Sequence, residues 1–416
     1  MIERYNSFTF SFEALPLKGI CVIMEYIVTE KNGLAIQESV NRAAASGGGK
    51  IILAPGVYPS GTIHLKSNIE LHLPAGAIIQ GYPKTEMYDD IFFDGFDSVT
   101  PENSRKALIV CNGCENVSIT GSGTIDGQGC KFFDCSSDNG MGQFNKPAHP
   151  RPRMIQFFQC RNIRFEGVSF VNSPNWTFWL SECEDVRVSG IRITGDLRIC
   201  NNDGIDIDSC RRVLISDSFF QTGDDCIILR AIRKDLGKPA ICEQVSVTNC
   251  ILNSHCQGIR LGCPSDDTIR NCSFSNIIFK GVGTGIHSEH PFRYLRKNCT
   301  GYMQINDIVF ENFDITTNRY PIRLGCDAGI KLRGIEGIHF RNIRIKSKRP
   351  ITLEGSCHTV LKNITFSDIS GNVEGESPIV AKCVKNLKLN NFELSAEIGQ
   401  DVPFQRIPSK SWETQF

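Results

Sequence analysis

The chain has 416 residues, 41% of them hydrophobic and 22% charged, with 45 Lys plus Arg balanced by 45 Asp plus Glu. That composition excludes a disordered, collagen-like or coiled-coil chain, and zero net charge supplies no global field for nucleic acid or an anionic membrane. No apolar run reaches the roughly 18 to 20 residues that span a bilayer, because Leu15 to Val28 is interrupted by Lys18, Gly19 and Glu25. Neither nucleic acid nor a membrane is therefore expected as a partner, and the sequence is silent on oligomeric state.

Residues 1–30 read as an N-terminal extension. Met1 to Phe12 lacks the basic, then apolar, then small-residue order of a secretory signal, so a cytoplasmic location is expected. Helical periodicity is confined to Leu34–Ala45, where AIQESVNRAAA precedes the stop Gly47-Gly48-Gly49. That helix suits a cap on the first coil of a repeating body expected over residues 31–400, followed by a tail, 401–416. The stretch Phe92 to Pro152 is rich in Gly, Pro and polar residues and reads as loops.

From there to the end one pattern recurs: a turn residue, a polar residue, alternating apolar residues, then Asn, Asp or Gly and a second short apolar run. CENVSIT, CRNIRFEG, CEDVRVSG, CRRVLISDS and CEQVSVTNC are copies, continued by NCSFSNIIF, NDIVFENFDI, EGIHFRNIRI, KNITFSDIS and KNLKLNNFEL. Their first apolar residues are Val117, Ile163, Val186, Val213, Val245, Cys272, Ile308, Ile338, Ile364 and Leu387. Most spacings fall between 23 and 36; the first, 46, reads as two units. Such a period, built from β-branched alternating runs, specifies a parallel β-solenoid, an all-β fold in which each coil buries its apolar face on its neighbours.

Stacked coils turn equivalent positions into ladders. The cysteines that open five copies, Cys114, Cys160, Cys183, Cys210 and Cys242, are expected to be reduced and packed, and Asn249, Asn276, Asn312 and Asn342 to form turn ladders. The close pair Cys111 and Cys114 has no second pair at zinc-ribbon spacing, so no metal and no cofactor is expected.

Two segments stand out, Asn201-Asn202-Asp203-Gly204-Ile205-Asp206-Ile207-Asp208 and Gly223-Asp224-Asp225-Cys226. Twenty-one residues separate Asp203 from Asp224, close to one coil, so the carboxylates should stack on one outward face. Stacked carboxylates repel, and at least one should stay protonated near neutrality, an acid beside bases. Alternation sets Asp206 at the opposite parity and leaves it, with Asp208, a structural reading. Acidic ladders also bind calcium or face water.

These segments, with GGGKIILAPGVYPSGTIHLKSNIELHL, GSGTIDGQG, NSPNW and TGDDC, resemble the polygalacturonase family, glycoside hydrolase family 28. The resemblance implies a single right-handed parallel β-helix and a hydrolase of pectic or related acidic plant glycan oligosaccharides, of galacturonidase or rhamnogalacturonan type, that inverts the anomeric centre. It makes Asp224 the general acid and gives the water to Asp203 and Asp225. Inverting pairs stand roughly 6.5 to 9.5 Å apart. The family's Gly-His-Gly segment corresponds to Ser254–Gly262, which displaces His255 by one or two positions, leaves Cys256 or Gln257 in the histidine's place and turns Arg260 toward the cleft. Its carboxylate-gripping Arg-x-Lys corresponds to His287 and Glu289, and Arg293, Arg296 and Lys297 are candidates to restore positive charge from a loop. Trp176 and Trp179 are candidate sugar-stacking surfaces, Trp179 equally a core residue. The same mechanism on a neutral or decorated glycan, a calcium-dependent β-helix lyase and a non-catalytic glycan-binding protein remain the alternatives.

Overall fold

The computed structural model describes residues 24–92, 102, 104–234, 237–262, 264–294 and 303–397. Strands run in parallel register from coil to coil and fall into two large sheets, of 19 and 11 strands, as expected of a right-handed parallel β-helix. The apolar positions picked out by the repeat lie in register: Val117, Ile163, Val186, Val213 and Val245 pair in succession, as do Cys272, Ile308, Ile338, Ile364 and Leu387. Their side chains alternate inward, and all but Leu387 are at most 3% exposed. Phe274, Phe310, Phe340 and Phe366 stack within this core, centroids 5.0, 5.1 and 4.6 Å apart.

One expectation is corrected. Val117 pairs directly with Ile163, so the 46-residue spacing is one coil carrying a long insertion and not two coils. The insertion includes a short 3-10 turn, Gly129–Phe132, and returns to the sheet at Arg153–Phe158. Residues 93–101 and 103 of the expected loop region, Arg296 and Lys297, and the tail 401–416 lie outside the described residues.

The cap is the helix Gly33–Ala45. Asn32 caps it by accepting from the Ala35 amide at 2.8 Å, and Gly47 and Gly48, both at positive φ, end it. It buries Ala35, Ile36, Val40 and Ala43 over the first coil, which already includes the strand Glu25–Val28 paired with Gly49–Leu53. No helix among the described residues is long and apolar enough to cross a membrane.

The recurrent asparagines are explained by two demands of the turn. Asn249, Asn276, Asn312 and Asn342 all adopt left-handed backbone, φ 50 to 60°, which Asn tolerates better than other residues with a side chain. Their amides then bond coil to coil, Asn276 to Asn249 at 3.2 Å, Asn312 to Asn276 at 3.1 Å and Asn342 to Asn312 at 2.8 Å. The cysteines are free thiols, Cys160, Cys183, Cys210 and Cys242 buried and Cys114 partly so.

Candidate functional site

The 11-stranded sheet carries the acidic segments. Its strands Phe178–Ser181, Ile205–Asp208, Ile227–Arg230, Gln257–Leu261, Thr284–His290 and Ile322–Cys326 are successive rungs. Ile205 and Ile207 point into the core, and Asp206 and Asp208 lie on the outer face, yet all four residues are buried because loops cover this face. The loop that precedes each strand holds the other carboxylates. Asp203 stands before Ile205–Asp208, and Asp224 and Asp225 before Ile227–Arg230, one coil on. Glycine permits the close stacking: a Cβ on Gly204 would lie 2.2 Å from the Cys226 carbonyl oxygen, and one on Gly223 would lie 2.0 Å from that of Ile199.

One oxygen from each of Asp203, Asp224 and Asp225 lies within 4.8 Å of the others. Two features bring these oxygens together: the Asp203 loop stacks on the next coil, and Asp224 and Asp225 are neighbours in that coil's loop. The Gln257 amide donates to Asp225 Oδ1 at 3.2 Å, and Arg260 Nη1 donates to Oδ2 at 2.6 Å. This charge-assisted pair makes Asp225 the anion of the group. Asp224 Oδ2 accepts from the Asn201 amide at 3.0 Å, and of the three it alone keeps partial exposure. Burial first, then the Asp225 charge, pushes Asp224 up to about 7. Burial, then Asp224, Asp206 and Asp225, raises Asp203 well above the usual carboxylate range, against Arg230. Carboxylates so close and so buried resist ionising together, which favours keeping a proton on Asp203 or Asp224. Buried Asp203 Oδ1 and both side-chain polar atoms of Asn202 have no hydrogen-bond partner.

The three carboxylates converge as a cation's ligands would, but two guanidiniums already face them, Arg230 3.7 Å from Asp203 and Arg260 2.6 Å from Asp225. Arg230, which sequence reasoning missed, is the more buried of the two. It bonds Asp206 at 2.6 Å and lies 3.7 Å from Asp203, so Asp206, read correctly as structural, is still coupled to the site through a shared cation. Burial raises Asp206 to about 7 despite that pairing. Asp208 is held by Lys234 at 2.5 Å and by Trp179 Nε1 at 3.3 Å. The available signal was the ending of Ile227-Ile228-Leu229-Arg230, a cation closing an otherwise apolar strand.

Trp176 is not an open platform for sugar, which corrects that expectation. It is 2% exposed, and the guanidiniums of Arg153 and Arg230 lie 4.8 and 4.5 Å from its ring centroid. It aligns Arg230 by cation–π contact and does not face a ligand. His255, displaced from the family histidine's position as the resemblance implies, has its Nε2 bonded to the Met141 carbonyl at 2.8 Å, which ties it to the long insertion. The same insertion reaches the acidic loop through Gln143, whose amide donates to the Gly223 carbonyl at 2.7 Å. Gln257 and Arg260 are at the site, through Asp225.

Arg260 pairs in register with His287, and His287 with Arg323. Glu289 bonds His287 Nε2 at 3.3 Å and Arg323 at 2.7 Å, so the carboxylate in the family's lysine position is itself neutralised by an arginine one coil further on. Arg323 was not foreseen. Arg293 is exposed, in the 3-10 turn Phe292–Tyr294, with its guanidinium 5.0 Å from the Tyr294 ring centroid.

Comparison with known proteins agrees with this architecture. Residues 65–238 match the family model of the glycosyl hydrolases family 28. Over that stretch, which holds the acidic loops, the chain is similar to members of that family. A probable polygalacturonase of Arabidopsis thaliana is 24% identical over 282 residues, 64% of this chain and 59% of the relative, and the endo-polygalacturonase of Pectobacterium carotovorum is 24% identical over 75% of this chain and 86% of its own. The chain spans little more than half the length of three plant relatives, 53 to 59%. The crystal structure of an exopolygalacturonase from Thermotoga maritima shares the fold, with a TM-score of 0.73 at 22% identity over 89% of this chain and 92% of that one.

Proposed function

We propose that this chain is a glycoside hydrolase that cleaves glycosidic bonds in pectic or related acidic plant glycan oligosaccharides. The observation that carries the proposal is the carboxylate triad. Three oxygens from two consecutive coils meet within 4.8 Å, and the most accessible carboxyl among them is pushed up to about 7. A general acid works best when its pKa lies near the working pH. Asp224, protonated and partly exposed, delivers its proton to the leaving oxygen. Asp225, held anionic by Arg260, deprotonates the water, and Asp203 helps to orient it. Arg230 limits the charge gathered around Asp203 as that proton moves. The relatives' names support the substrate class.

Hydrolysis is favoured over lyase chemistry because Arg260 is clamped on Asp225 at 2.6 Å and so is poorly placed to abstract a proton from a sugar. The family's inverted outcome is part of the proposal. Chromatography of products from galacturonan, rhamnogalacturonan and neutral pectic oligosaccharides, with anomeric proton NMR of the first-formed sugar, tests both parts. Hydrolysis with inversion, lost in Asp224→Asn, is expected. An ultraviolet-absorbing unsaturated product that requires calcium would replace the hydrolase with a lyase, and a retained anomer would replace the assigned roles.

A further inference from the structure

The coils beyond Arg260 form a second, differently built stretch of the same face. Neighbouring strands lie about 4.8 Å apart, so His287 stands one rung and Arg323 two rungs from Arg260, about one to two sugar lengths along the axis. Glu289 and Arg323 side chains keep 30% and 26% of their surface exposed, so both remain open to a ligand. Arg323 bonds Glu289 at 2.7 Å and also lies 4.0 Å from Glu354. Arg260 is likewise engaged by Asp225. Among the described residues, Arg260 and Arg323 of this wall each already face a carboxylate, while Arg319 bonds the His255 carbonyl and exposed Arg293 stands at the edge.

The hydrogen-bonding character points the same way. Glu289 is held in its ionised form by His287 and Arg323 against the opposing effect of burial, and can only accept. Burial keeps His287 neutral. Its Nε2 must then donate to Glu289, which leaves Nδ1 as an acceptor with no partner. Gln257 Oε1 is a further acceptor without a partner. A sugar carboxylate, also acceptor-only, would have to displace Glu289 from Arg323 and then lie against it. A sugar hydroxyl can donate to Glu289 while it accepts from Arg323, and breaks nothing.

We infer that the Glu289–Arg323 pair makes this a subsite for a neutral, hydroxyl-bearing sugar unit and excludes a uronate, with Glu289 as the specificity-determining residue. The substrate is then a glycan in which a neutral sugar lies next to the scissile bond, and not an uninterrupted polyuronate. Excluding the uronate is negative selection by a fixed like charge, and removing that charge should relax it.

The turnover arm of the test rests on the hydrolase reading; the binding arm does not. Affinities of a galacturonate trisaccharide, an alternating rhamnose–galacturonate oligosaccharide and a neutral pectic oligosaccharide are measured by calorimetry on Asp224→Asn, with and without Glu289→Gln. Values of kcat/KM are measured on the chain with Asp224 intact, with circular dichroism to verify folding. The oligosaccharides containing neutral sugar should bind at least about ten-fold more tightly than the trisaccharide, and Glu289→Gln should close most of that gap by strengthening trisaccharide binding. Arg323→Met should widen it. Equal or tighter binding of the trisaccharide by the parent, unchanged by Glu289→Gln, overturns the inference. Absence of turnover on every substrate would overturn the hydrolase reading, while the affinity ratio still decides this one.

Discussion

Two clusters of acidic and arginine side chains, both built by stacking coils, behave in opposite ways. On the 19-stranded sheet, Arg212 reaches back one coil to Asp185 and Glu184 at 2.5 and 2.9 Å, with all three side chains substantially in water. There the arginine's hydrogen bond lowers Asp185 below its ordinary range. On the 11-stranded sheet, Asp203, Asp224 and Asp225 stack under loops, outnumber the cations that reach them, and include a carboxyl raised to about 7. The residue types and the coil offset are the same. What separates a solvated ion-pair ladder from a reactive group is burial together with incomplete pairing, since desolvation outweighs the guanidiniums only when the face is covered.

Substitutions can break that contrast. Asp224→Asn is expected to have the largest effect, about a thousand-fold loss of kcat, within the usual range for loss of general-acid catalysis. It should also raise the unfolding midpoint above that of the parent, with a gap that depends on pH. Because the folded pKa is raised, this carboxyl favours the folded state most below its unfolded value of about 3.9 and loses that contribution as pH rises through about 7. Thermal melts from pH 4 to 8 should therefore diverge with increasing pH. Parallel melts would refute the raised pKa.

Arg230→Met comes next. It strips the partner from two buried carboxylates and should cost about 3 to 5 kcal/mol in urea unfolding, an effect that should shrink when Asp206→Asn is added. Asn276→Ala is smaller. It keeps a left-handed turn without the amide that bridges Asn249 and Asn312, and should cost about 1 to 2 kcal/mol with catalysis unchanged. Arg212→Ala should leave the unfolding midpoint within experimental scatter, because an exposed pair in water contributes little. A midpoint shift as large as that of Arg230→Met would show that the two clusters are alike after all.

The repeating architecture was legible because each coil repeats the same physical demands. Alternating apolar residues had to face inward, and Asn recurred where the backbone turns left-handed. The Asp203 to Asp224 offset worked for the same reason, since a one-coil spacing becomes a contact whatever lies between. Insertions break that arithmetic: Val117 and Ile163 are neighbours despite 46 residues of separation, because a loop adds length without adding a rung. Partners of single charges were equally hidden. Nothing in the strand pattern announces that Arg230 serves Asp203 and Asp206, or that Arg323 answers Glu289, because each pairing depends on rotamers and on what covers the face. Trp176 was misjudged for the same reason: its sequence neighbourhood suggested a cleft wall, and burial beside the Arg153 and Arg230 guanidiniums makes it an interior spacer.

The central claim is that the stacked carboxyls hold a catalytic proton at neutral pH. The pH dependence of kcat/KM on an oligosaccharide that the chain turns over tests it most directly, because the acid must be protonated in the free enzyme. The account predicts a descending limb with an apparent pKa near 7, belonging to the coupled carboxyls as a group, that moves to lower pH when the repelling charge is removed in Asp225→Asn. Activity that stays level well above pH 7, or a limb that Asp225→Asn leaves in place, would contradict it.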